Sequence, residues 1–177
     1  MRRTLGLALG KWSFDARYVF YASPSDAFGT VEEFDFGVAY DDSEWLGAWS
    51  MKPSVVLAVE TGSNAADGQH RGTYLQLGVS PGFAFDAGPV KDVGISFPAT
   101  VGLSLSNYYE GANDENDAFG YASVGAKASV PLNIDKSWGV WTLTAGFQVL
   151  FLGDAVSTLN GDDDVEFIGT VGIAVGF

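Results

Sequence analysis

The chain has 177 residues, room for one sizeable domain or one small barrel, with 47% hydrophobic residues, only 18% charged residues and a formal net charge of −13. That acidity leaves no basic surface to neutralise phosphates, so nucleic acid is excluded as a partner, and the lack of cysteine excludes disulfides and thiolate metal sites. No stretch approaches the roughly 20 continuous apolar residues of a membrane-spanning helix, so the apolar content belongs to a buried soluble core or to a barrel with lipid-facing residues at alternate positions.

At the start, Met1-Arg2-Arg3 followed by Thr4 to Leu9 has the outline of a secretory signal, but Lys11 cuts the apolar part short and no small-x-small cleavage site follows. Leu5, Leu7 and Leu9 also alternate with Gly6, Ala8 and Gly10, as in the remnant of a strand. Residues 1–11 therefore read as a truncated signal or a strand remnant at the edge of a single domain spanning 1–177.

Period-2 alternation then recurs about eight times. The first segment sets Phe14, Ala16, Tyr18 and Phe20 against Asp15, Arg17, Val19 and Tyr21; the second sets Phe34, Phe36, Val38 and Tyr40 against Glu33, Asp35, Gly37 and Ala39. The third covers 51–60, the fourth 74–83, the fifth 95–106, the sixth 121–130 and the seventh 141–151. The eighth is the clearest. Val165, Phe167, Gly169, Val171, Ile173, Val175 and Phe177 form one face, and Glu166, Ile168, Thr170, Gly172, Ala174 and Gly176 the other.

In each segment one face is bulky and apolar while the other is mostly Gly, Ser, Thr and Ala. Small side chains fit a narrow lumen, and bulky ones need an apolar solvent outside. The expected fold is all-β: an antiparallel up-and-down transmembrane β-barrel of about eight strands, or ten to twelve if the N-terminus is truncated. A β-sandwich with one solvated face per sheet is the alternative. The inner face would carry Asp15, Arg17, Glu33, Asp35, Lys52, Glu60, Lys127 and Glu166, charges of both signs that a wet lumenal network can satisfy.

With both ends of the chain on the periplasmic side, the longer connections (22–30, 61–72, 107–118, 153–164) fall outside and the others (41–50, 86–92, 131–137) inside. Trp12, Trp45, Trp49, Trp138 and Trp141 then gather at the inner end, and Tyr21, Tyr74, Tyr108, Tyr109 and Tyr121 at the outer end. Two interfacial aromatic girdles would look like this. Val171, Ile173, Val175 and the terminal Phe177 read as a signal for the barrel-assembly machinery, which pairs with such an edge by β-augmentation.

Other chemistry is thin. Asp114, Glu115, Asp117, Asp162 and Asp163 are a weak candidate for a hard cation, without EF-hand spacing; no metal or other cofactor is expected. His70 is the single histidine. With Ser80 or Ser63 it would be the basis of a lipid-cleaving enzyme, but no spacing supports either, and the chain is not expected to be an enzyme.

Gly72-Thr-Tyr-Leu-Gln-Leu-Gly-Val-Ser-Pro-Gly-Phe83 and Phe97-Pro-Ala-Thr-Val-Gly-Leu-Ser-Leu-Ser-Asn-Tyr-Tyr109 resemble segments of the TorF family of porin-like proteins. The resemblance implies a channel role and brings no catalytic residues. The expected function is porin-like passage of small solutes across a bacterial outer membrane, weakly cation-preferring if the lumen is open. The alternative is a structural or adhesive barrel that binds partners through its acidic outer loops.

Overall fold

The computed structural model describes residues 2–22, 29–65, 70–111 and 115–176. Eleven strands, β1 (Arg2–Leu9), β2 (Trp12–Tyr21), β3 (Val31–Tyr40), β4 (Ser54–Glu60), β5 (Thr73–Val79), β6 (Gly82–Ala87), β7 (Val90–Ser96), β8 (Ala99–Ser106), β9 (Phe119–Pro131), β10 (Val140–Leu152) and β11 (Val165–Gly176), form one sheet. All pairings between these strands are antiparallel. Two short helices, α1 (Ser43–Leu46) and α2 (Asp154–Leu159), lie in connections.

The main path runs β1-β2-β3-β4-β5-β8-β9-β10-β11, with the β6–β7 hairpin attached beside it. Residues 2–9 are a full strand, in register with β2 from Arg2↔Val19 to Leu9↔Trp12 across a turn at Gly10 and Lys11. The expected fourth and fifth strands are each broken in two, at Pro81 and at Pro98. Proline supplies no N–H to a ladder. The two breaks sit level with each other, since Phe97 N–H donates to the Pro81 carbonyl (2.8 Å) and Gly125 N–H to the Pro98 carbonyl (2.9 Å). The long strand β9 bridges the second break, pairing with β7 through Lys127–Ser129 and with β8 through Phe119–Val124.

The all-β antiparallel architecture is as expected, and eleven strands exceed the expected eight but fall within the ten to twelve of the second expectation; the expected closure is corrected. Among the described residues the sheet is open: β1 pairs only with β2, and β11 only with β10. The strand directions of the path bear on this. It has nine members, each antiparallel to the next, so β1 and β11 point the same way. Pairing them would be parallel, against the pattern of the whole sheet, whereas an even count would let the edges meet antiparallel.

Burial is distributed in reverse of a water-soluble protein. Along β3, Glu33 and Asp35 are 3% and 8% exposed, while Phe34 between them is 45% exposed and Phe36 after them 53%. Phe147 on β10 and Val171 on β11 are exposed to 49% and 82%. Among the described residues no large side chain is fully buried, and the buried polar set (Glu33, Asp35, Asp42, Ser50, Glu60, Ser104, Glu110, Ser123) matches the buried apolar one in extent. The bulky face of the alternation is thus turned out and the small, polar face in.

Candidate functional site

Strand register collects the polar face into rows. One row reads Arg17↔Asp35↔Ala58↔Tyr74↔Ser104 across β2, β3, β4, β5 and β8. The next reads Asp15↔Gly37↔Val56↔Gln76↔Gly102↔Tyr121 and reaches β9. A third pairs Val19, Glu33 and Glu60. Over these rows lies a cavity of about 590 Å³, lined by Arg17, Glu33, Asp35, Gln76 and the rings of Tyr74, Tyr108, Tyr109 and Tyr121.

Its charges are ordered by short contacts. Arg17 Nε pairs with Asp15, and its Nη1 lies 3.8 Å from Asp35 Oδ2. Glu33 accepts a hydrogen bond of 2.7 Å from the Tyr108 hydroxyl. Glu60 accepts one of 2.7 Å from the Gly72 N–H, which ties β4 to the start of β5. The Tyr74 and Tyr121 hydroxyls lie 2.8 Å apart and 3.0 and 3.1 Å from Gln76 Oε1, a triangle of oxygens in which one hydroxyl donates to the other and the second donates to Gln76.

Glycines make room for this arrangement at two positions. A Cβ on Gly102 would stand 2.5 Å from Tyr121 Cε1 and 2.9 Å from Tyr74 Cε2, so both rings lean over a bare backbone. A Cβ on Gly37 would strike the Asp15 carboxylate. Cross-strand glycine under an aromatic ring is a recurrent way to seat the ring on a sheet.

Of the eight expected lumenal charges, Asp15, Arg17, Glu33, Asp35 and Glu60 come together here. Lys52 is an exposed residue before β4 at the opposite end of the sheet. Lys127 is exposed on β9, lining a separate hollow with Thr144, Gln148 and Thr170. Glu166 accepts a 2.8 Å bond from Asn160 beside the β11 edge.

The aromatics fall at the two ends of the strands. Trp12 and Trp141 start β2 and β10, Trp45 lies in α1, and Trp49 and Trp138 lie in short 3₁₀ turns, all at one end. Tyr21, Tyr74, Tyr108, Tyr109 and Tyr121 lie at the other. Tyr74, Tyr108, Tyr109 and Tyr121 line the polar cavity. Val171, Ile173 and Val175 stand exposed along the edge strand β11, and Phe177 lies outside the described residues.

His70 has a partner that spacing did not reveal. Its Nδ1 lies 3.0 Å from Glu110 Oε2, and its backbone N–H donates to the same oxygen at 3.0 Å. Ser80 is separated from it by the seven residues of β5, roughly 20 Å at the rise of a strand, and among the described residues no serine bonds to His70. In the acidic loops, Asp117 accepts from the N–H groups of Phe119 (3.2 Å) and Ala155 (3.3 Å), joining the loop to α2. Glu115, Asp162 and Asp163 are exposed and Asp114 lies outside the described residues; among the described residues no three acidic or histidine side chains are grouped to hold a metal.

At the tryptophan end, Asp42 organises the connection between β3 and β4. Its Oδ1 accepts from Ser50 Oγ (2.5 Å) and Lys52 N–H (3.0 Å), and its Oδ2 from Met51 N–H (3.1 Å). These donors, the Ser50 hydroxyl foremost, hold its carboxyl below the ordinary aspartate range. An Asp ten residues ahead of its last donor is a loop signal that alternation does not carry.

No family model, curated protein or solved structure matches the chain.

Proposed function

We propose that the sheet is the wall of a transmembrane β-barrel in a bacterial outer membrane, with porin-like passage of small solutes along its polar face. The observation that carries this reading is the inversion of burial on β3, where Glu33 and Asp35 are covered and Phe34 and Phe36 are exposed. Water would penalise an apolar face of this extent, which far exceeds the patches tolerated on soluble monomers; lipid would not. Lipid also demands that strand edges be satisfied. The nine-membered path would be completed by an odd number of further strands, keeping each pair antiparallel, or by a parallel seam between β1 and β11. The five tryptophans at one end, four of them exposed and Trp141 half-buried, suit an interfacial belt. The segments that resemble TorF porins, 72–83 and 97–109, are sheet neighbours through β5 and β8 and supply Tyr74, Tyr108 and Tyr109.

Acidic excess in the gathered lumenal set (Asp15, Glu33, Asp35 and Glu60 against Arg17) favours cations over anions. The test has two parts. Reconstitution into vesicles with brominated acyl chains should quench the tryptophan fluorescence, and planar bilayers should show discrete, cation-selective conductance. A chain that stays unquenched in the aqueous phase overturns the membrane reading. Insertion without conductance overturns the porin reading alone.

A further inference from the structure

The cavity over β2–β5, β8 and β9 has a charge pattern that points to a particular solute. Arg17 is already engaged with Asp15 and Asp35. Glu33 is buried, and among the described residues no Lys, Arg or His comes within ion-pair distance of it; the neutral Tyr108 hydroxyl donates to it. A buried carboxylate without a counter-charge is costly, and a cation that enters the cavity relieves that cost.

The walls around it are aromatic and set in two planes. Tyr108 and Tyr109 are perpendicular, with ring centroids 5.1 Å apart, and Tyr109 is perpendicular to Tyr74 at 6.1 Å. Ring faces attract cations, most strongly those with weak hydration. A bare metal ion needs several oxygen ligands at one point, which the described residues do not group. A neutral sugar would leave Glu33 uncompensated.

We infer that this cavity binds a small organic cation, an alkylammonium or quaternary ammonium group, lodged against the Tyr108 and Tyr109 rings that line it, with Glu33 as its counter-charge. The inference rests on the reading of this face as a lumen, but binding and conduction are measured separately.

The test is calorimetric titration of the full chain, folded in detergent, with tetramethylammonium chloride at constant ionic strength, using sodium chloride and glucose as comparison probes. Saturable binding of tetramethylammonium is expected, with neither comparison probe competing at equal concentration. Glu33→Gln and Tyr109→Leu should each weaken it on the order of tenfold, while Tyr109→Phe retains it because the ring face remains. Asp86→Asn, which removes one negative charge at the tip of the β6–β7 hairpin, should leave it unchanged. Should Glu33→Gln fail to fold, the Tyr109 pair carries the test alone. Equal binding by Glu33→Gln or by Tyr109→Leu, competition by sodium, or saturable binding of glucose alone overturns the inference. Binding without bilayer conductance leaves it standing and removes the porin reading; conductance without binding does the reverse.

Discussion

The Tyr108 hydroxyl donates to the Glu33 carboxylate at 2.7 Å across 75 positions of chain, joining the bend after β8 to the middle of the polar face on β3. The bond lies in the lining of the cavity at the tyrosine end. It also explains how a carboxylate only 3% exposed is tolerated, since a buried acceptor needs a donor more than it needs water.

Loss of that donor should be felt in stability. Tyr108→Phe keeps the ring against Tyr74, whose centroid lies 5.0 Å away, and deletes only the hydroxyl. The expected cost is about 1–3 kcal/mol, the range for stranding a buried hydrogen-bonding group. Urea unfolding of the two proteins in the same detergent measures it. Adding Glu33→Gln to Tyr108→Phe should cost less than the sum of the two single changes, because the amide carries no charge to strand. Additive effects would mean that the bond contributes nothing.

A second prediction concerns the seat of Tyr121. Gly102→Ala places a methyl within 2.5 Å of the Tyr121 ring and must tilt it away from Gln76. Overpacking of this kind costs about 1–3 kcal/mol. Gly169 on β11 has nothing within 4 Å of an added Cβ, so Gly169→Ala should be nearly silent. Comparing the two melting temperatures separates the steric effect from a general intolerance of lost glycine.

Period-2 alternation made most of the strands legible, because which face a side chain occupies is a local property of the backbone. Thus Glu33, Asp35 and Glu60 could be assigned to the polar face before any pairing was known. The rows across the sheet were not legible. Whether Glu33 meets Lys127 or Tyr108 depends on register and on loops, and neither leaves a local trace. Pro81 and Pro98 each continue an alternating run, so periodicity hides the breaks they impose. The pairing of His70 with Glu110 was hidden for the same reason as the Glu33–Tyr108 bond: the partners are 40 positions apart in loops without periodicity. The strand count turned on residues 2–9, where a short apolar run after two arginines fits a signal and a strand equally well.

The Asp42 knot gives the tryptophan-end connection a pH dependence whose sign is determined. Its carboxyl is held lower in the folded chain than in the unfolded one, first by the Ser50 hydroxyl and then by the backbone N–H groups of Lys52 and Met51. The stabilisation is therefore fully present above the unfolded value, about 3.9, and is lost as pH falls through the lower folded value. Trp45 and Trp49 flank the knot in α1 and the following 3₁₀ turn, so their fluorescence should report an acid transition in that range. Asp42→Asn should weaken the connection at neutral pH and contribute none of this dependence. An unaltered acid transition in the variant would locate the titrating group elsewhere.

Phe147 offers the sharpest test of what solvent the outer face meets. It sits in the interior of β10, between Ala126 on β9 and Gly169 on β11, with its ring stacked on Phe167 at a centroid distance of 5.9 Å. Gln148, the next residue, belongs to the other face. In a lipid-facing wall, Phe147→Lys puts an ammonium near mid-bilayer and should cost about 2–4 kcal/mol, while Gln148→Lys on the polar face should cost far less. In water the order reverses: a lysine for an exposed phenylalanine would improve solubility and change stability little. Folding yields into phosphatidylcholine vesicles, followed by urea titration, distinguish the two cases directly. A Phe147→Lys protein that folds into vesicles as well as the parent chain would show that this face does not lie against lipid.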